Sequence, residues 1–239
     1  MDSNRKTASI TDISQKKVAR IAGLLYLIFI IATFVADYFA SFAMGDTTAI
    51  ISKIIANEWL FSVGLVSNLL SALFFLLAAW ALYVLLKPVN KSLALLFLLL
   101  NLTGVAIQCL SVVNLFAAMQ LLSGVEYLNV FQADQLQAYA TFFINLYNNG
   151  FIIAQIFYGA WLLPLGYLVY KSGFLPKLLG ILLMIDCFAI LGWFFQFFLL
   201  PNYEVISYPL LMISLIAEFS LTLWLLIKGV KTPKIKSKD

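Results

Sequence analysis

Apolar residues run along this chain in six long blocks separated by short polar breaks. The blocks cover roughly 18–42, 57–86, 92–122, 135–170, 176–200 and 206–227. Each is long enough to cross a hydrocarbon layer of about 30 Å at the helical rise of about 1.5 Å per residue. None shows the period-2 alternation of a membrane barrel strand. The pattern predicts an all-α, polytopic membrane protein: a six-helix transmembrane bundle over residues 12–228, preceded by a polar segment, 1–11, that reads as frayed, and followed by a basic tail, 229–239.

The breaks carry helix punctuation. Asp12 with Gln15, and Asp134 with Gln137, have the spacing of a capping box. Pro88 and Pro201 stop the helices before them, since the residue preceding proline avoids the helical region. Gly124 and Gly173 stand where a C-terminal cap is expected, and Pro176 opens the fifth helix. Pro164 falls inside the fourth helix and predicts a kink. Ser41-Phe42-Ala43 resembles a signal-cleavage triplet. The apolar run from Ile21 to Phe42, however, exceeds the roughly 7–15 residues of a signal-peptide core, so the first block reads as a transmembrane helix.

Composition agrees with the pattern. The 239 residues are 63% hydrophobic and only 11% charged, about half the charged fraction of a soluble domain. There is no histidine, which removes the commonest general base and metal ligand. The two cysteines, Cys109 and Cys187, lie in apolar blocks without metal-ligand spacing and read as buried core thiols. Their depths differ too much for a disulfide. No cofactor, metal site, catalytic residue or nucleic-acid partner is expected.

Charge gives the orientation. With both termini on one side, that side holds all but Lys53 of the 15 basic residues. They lie in the N-terminal segment (Arg5, Lys6, Lys16, Lys17, Arg20), beside the two-residue-lysine turns (Lys87 and Lys91; Lys171 and Lys177) and in the tail. The opposite loops carry Asp46, Glu58, Glu126, Asp134 and Glu204. Positive-inside asymmetry then places both termini in the cytoplasm of a cell membrane, with the tail against anionic lipids. Tyr127, Phe131, Tyr203 and Tyr208 fit an outer aromatic belt. An internal echo is also visible. Tyr83-x-x-x-Lys87 and Tyr167-x-x-x-Lys171 each precede a Lys-started helix with a polar residue about ten positions in, Asn101 and Asp186.

Several stretches together resemble a known family. They are NEWLFSVG at 57–64, LLKPVNKSLALL at 85–96, SGVEYL at 123–128, QLQA at 135–138, GYLVYKSGFLPKLLG at 166–180, and Glu218 with the LWLLIKGV that follows. The chain resembles the bacterial membrane-protein family catalogued as domain of unknown function 4386. The resemblance implies a multi-pass protein of the cytoplasmic membrane. It brings no assigned activity and no catalytic residues.

Carboxylates within a membrane are costly and default to functional candidates. Asp186 lies roughly 14 Å and Glu218 roughly 15 Å from the basic edge, both near the midplane, with Asn101 at the same level. Asp37 sits nearer the outer edge. Asn68, Gln108, Asn114, Asn149 and Gln196 fall in the outer half. Asn145, Asn148, Gln155, Gly159 and Gly166 share a stripe on the fourth helix. This gradient predicts a polar cavity open to the outside, closing at Asp186 and Glu218. A close pair there would share a proton or hold a cation. The bland alternative for the stripe is helix–helix glue, at roughly 0.6 to 2 kcal/mol per bond, and for Asp37 snorkelling to the interface. Three functions compete: a binding or transport protein for a small or amphipathic ligand, acting as a possible homo-oligomer; a structural, accessory or stress-related protein with no substrate; and an intramembrane acid–base enzyme built on the two midplane acids.

Overall fold

The computed structural model describes residues 3–41 and 47–230, with side chains from residue 15 onward. It is all-helical. Among the described residues seven α-helices follow in order: α1 Ser3–Ala40, α2 Thr47–Ala56, α3 Glu58–Leu86, α4 Lys91–Leu122, α5 Ala133–Lys171, α6 Lys177–Leu199 and α7 Ser207–Ile227. Short 3-10 turns at Glu126–Leu128 and Pro201–Ile206 lead into α5 and α7. Six of the helices, all but α2, are long and apolar enough to cross a membrane. The side chains of Arg5, Lys6 and Asp12, residues Asp46 and Ala43, and the tail from residue 231 lie outside the described residues.

Local chemistry sets most of these boundaries. Asn57 and Asn90 cap α3 and α4, their side-chain oxygens accepting the Leu60 and Leu93 N–H groups at 3.0 Å. Gly124 and Gly173 take positive φ, 68° and 72°, just past the ends of α4 and α5. Pro176 holds extended backbone immediately before α6. Three expectations shift. Helix α1 begins at Ser3 and runs through Asp12, where a cap was expected. At α5 the reciprocal cap is one made by Gln135, whose Oε1 accepts the Gln132 N–H at 3.0 Å; Asp134 lies inside the first turn. The stretch after α1, expected to be loop, contains α2. Its two buried isoleucines, Ile50 and Ile54, are four apart and so share one helix face.

The chain divides into two compact units. The first comprises Met1–Leu27, Leu76–Leu102 and Ile156–Asp239. Here α6 packs along α7, and the ends of α5 and α6 meet backbone to backbone. A methyl added at Gly166 would lie 2.7 Å from the Gly180 carbonyl oxygen, and one at Gly180 would lie 2.6 Å from the Gly166 oxygen. Glycine at both positions permits that approach. Gly23 gives α1 the same closeness to α7 at Leu225 and Leu226.

The second unit comprises Ile28–Phe75 and Thr103–Gln155. Its core gathers Phe61, Leu65, Leu115, Ile144 and Tyr147 around Ile50 and Ile54 of α2. Lys53 of α2 turns to the end of α1. Its Nζ donates to the Asp37 and Tyr38 carbonyls and lies 6.0 Å from the Tyr38 ring. Lys53 is thus a cap on the negative end of α1.

Candidate functional site

Helix α6 follows the Gly173–Pro176 turn, and its close contact with α5 fixes its rotation. Asp186 is consequently turned fully inward, at 0% exposure. Helix α7 lies alongside and presents Glu218, half-buried, within the field of Asp186. The structure therefore brings together the two acids that depth alone had paired. Two hydroxyls complete the cluster: Ser214 of α7 faces Asp186, and the fully buried Tyr26 of α1 faces Glu218. Neither oxygen of Asp186 makes a hydrogen bond among the described residues. Every donor in the cluster is oxygen, a set that suits a proton or a hard cation and offers nothing to a soft metal.

Asn101 of α4 belongs to the same unit and is also at 0% exposure, with both side-chain polar atoms unpartnered among the described residues. One turn earlier Phe97 packs edge-on against Trp161 of α5 at 6.2 Å. The internal echo has a geometric counterpart. Lys87 stands over Tyr83 and Lys171 over Tyr167, each 5.9 Å from the ring centroid. The polar residue about ten positions into the helix that follows, Asn101 or Asp186, is in both cases fully buried without a hydrogen bond.

The second unit holds a different polar group. Gln108 donates to the Asn68 side-chain oxygen at 3.2 Å in the buried interior. Tyr147, fully buried, faces Asn68 and lies within the field of Asp37. The α5 stripe is put to several uses. Asn145 is exposed and accepts a 2.8 Å hydrogen bond from Thr47 of α2. Asn148 is half-buried and Gln155 buried. In the first unit, Gly159 and Gly166 are pressed against Leu191 and Met184 of α6. An open cleft of about 540 Å³ is lined by Thr47, Thr48, Ser52, Gln137 and Thr141, with apolar neighbours from α2. It includes none of the residues expected from the stripe. Among the described residues, no three of the Asp, Glu and Cys side chains gather as metal ligands. Both cysteines are free, Cys187 buried and Cys109 only half-buried, so the expectation of a core thiol fits Cys187 and is relaxed at Cys109.

Sequence reasoning found Asp186 and Glu218 from their depth. It missed Tyr26, Tyr147 and Ser214. The signal was present: a mid-span tyrosine, in a chain with 21 phenylalanines, carries a hydroxyl that burial obliges to find company.

Six membrane-length apolar helices, with the carboxylate of Asp186 turned inward, define a multi-pass helical membrane protein. Residues 21–229 match the family described as "Domain of unknown function (DUF4386)", and this chain belongs to it. A relative from Archaeoglobus fulgidus, described as "Uncharacterized protein", is 30% identical over 159 residues, covering 66% of this chain and 79% of the relative. No solved structure matches.

Proposed function

We propose that this protein binds a small ligand within the membrane, and that the Asp186–Glu218 pair is the site where a proton or a small cation is held. One observation carries the reading: a fully buried carboxylate whose two oxygens have no hydrogen bond stands opposite a second carboxylate on the adjoining helix. Taking a carboxylate out of water costs several kcal/mol, and leaving it unpaired beside a like charge adds to that cost. A bound proton or cation removes both penalties, and the two hydroxyls supply further oxygen contacts. Coupling such a site to a second ligand is how a carrier uses an ion. The location we propose is a cell membrane with both termini in the cytoplasm. Entry of the ligand from the outer side is supported by the amide gradient along the sequence.

The test uses the purified full-length protein in detergent. Unfolding midpoints are compared in sodium, potassium and choline chloride at equal ionic strength, and across pH. The wild type is expected to shift its midpoint with cation or with pH. Asp186→Asn and Glu218→Gln keep the shape, remove the charge, and are expected to flatten that response while remaining folded. A wild type whose response matches that of both variants refutes the proton or cation site and leaves the accessory, substrate-free reading in its place.

A further inference from the structure

Two tyrosines three residues apart on the last turns of α5, Tyr167 and Tyr170, each carry a lysine. Lys171 lies 5.9 Å from the Tyr167 centroid, and Lys177, arriving from the start of α6, lies 5.3 Å from that of Tyr170. Residues three apart on a helix are surface neighbours, with Cβ atoms about 5–6 Å apart. Both ammonium groups therefore lie at the same end of the α5–α6 pair, although they come from different helices.

The frame beneath them is fixed. The Ser172 hydroxyl donates to the Val169 carbonyl at 2.8 Å and accepts the Leu175 N–H at 3.2 Å. Leu175 is buried, and the Gly166–Gly180 contact locks the two helix ends together. Both lysines are exposed, and neither is ion-paired with a described carboxylate. A solvated lysine normally loses much side-chain freedom on binding an anion. Here the rings have already restricted it, which lowers the cost of capture.

We propose that this paired-lysine turn is a binding site for the phosphate of an anionic phospholipid headgroup, independent of the Asp186–Glu218 site. Charge complementarity selects an anion. Placement at the end of two membrane-length helices, beside the exposed apolar side chain of Leu178, selects one that is attached to acyl chains. The rings of Tyr167 and Tyr170 distinguish this turn from a merely basic surface facing an acidic membrane.

The protein is reconstituted in mixed phosphatidylcholine–phosphatidylglycerol bilayers, and the phosphatidylglycerol retained is measured by native mass spectrometry. Lys171→Gln with Lys177→Gln is expected to lower retention by about fivefold per lysine. Tyr167→Leu with Tyr170→Leu keeps both charges and is expected to lower it as well. Lys16→Gln with Lys17→Gln removes the same net charge elsewhere and is expected to change it less. Circular dichroism confirms that each variant is folded; should the tyrosine pair fail to fold, Tyr170→Leu alone replaces it. Equal loss in the two lysine pairs, with the tyrosine variants unchanged, overturns the proposal in favour of diffuse charge. Binding of inorganic phosphate at this turn without enrichment of phosphatidylglycerol also overturns it.

Discussion

Tyr26 and Tyr147 are both fully buried, one in each unit; Tyr26 faces Glu218, and Tyr147 faces Asn68 within the field of Asp37. In water the hydroxyls would add little; within hydrocarbon each is a polar atom that must be placed. Asn68 and Gln108 obey the same rule in a simpler way. Expected from their depth to favour an outer cavity, they instead bond to one another at 3.2 Å. Such a pair is glue, and its size can be measured. Asn68→Leu and Gln108→Leu are each expected to destabilise the protein. A double-mutant cycle should give a coupling of roughly 0.6 to 2 kcal/mol by denaturant or thermal unfolding. A coupling of zero would mean that both amides are satisfied elsewhere. Depth alone was legible in the sequence, because it counts residues from a charged edge. Partnership was not, because it depends on which helix lies opposite.

The helices show the same division. Their ends are written in single residues: Asn57, Asn90, Gly124, Gly173 and Pro176 each stop or start a helix by their own backbone or side-chain chemistry. Their faces are decided by neighbours. Gly159 and Gly166 lie on a stripe that also carries amides, and from the sequence the stripe reads equally well as cavity wall or as packing face. The structure presses both glycines onto α6. At Gly166 and Gly180 the obstruction to a methyl is backbone, 2.6–2.7 Å away, which cannot rotate aside. Gly166→Ala and Gly180→Ala are therefore expected to cost about 1–3 kcal/mol each, as overpacking does. Gly124→Ala, where no atom lies within 4 Å, meets only the strain of its positive φ. Unfolding midpoints that rank Gly124→Ala below the other two in stability would contradict the close α5–α6 contact. Short α2 escaped the sequence reading because ten residues cannot form a membrane span, and its two buried isoleucines gain their meaning only against the core they cover.

For the molecule as a whole, charge distribution is the widest-ranging feature. Read from the sequence, a six-span topology would put all but one of the 15 basic residues on one side, and the exception, Lys53, is occupied by the carbonyls of Asp37 and Tyr38. Lys53 therefore has a local reason for its place, and the asymmetry of the remainder stands as a topological signal. A fluorescent protein fused after residue 239 is expected to be bright, and alkaline phosphatase at the same point inactive. Moved to the segment between α4 and α5, the two reporters should exchange behaviour. The reverse pattern would invert the proposed orientation.

The sequence by itself determined the six spans, most of their boundaries, the family and the candidate acids. Those features depend on hydrophobic length, local backbone chemistry and similarity along the chain, all of which can be read in one dimension. Tertiary structure alone decided that Asp186 lies near Glu218, that Tyr26 and Ser214 join them, that Gln108 bonds to Asn68, and that the stripe glycines are a packing contact. Helix rotation is the physical reason. A helix as apolar all round as α6 gives little hint of which face turns inward. The partners of a polar residue are then fixed only once close glycine contacts and neighbouring helices set that angle.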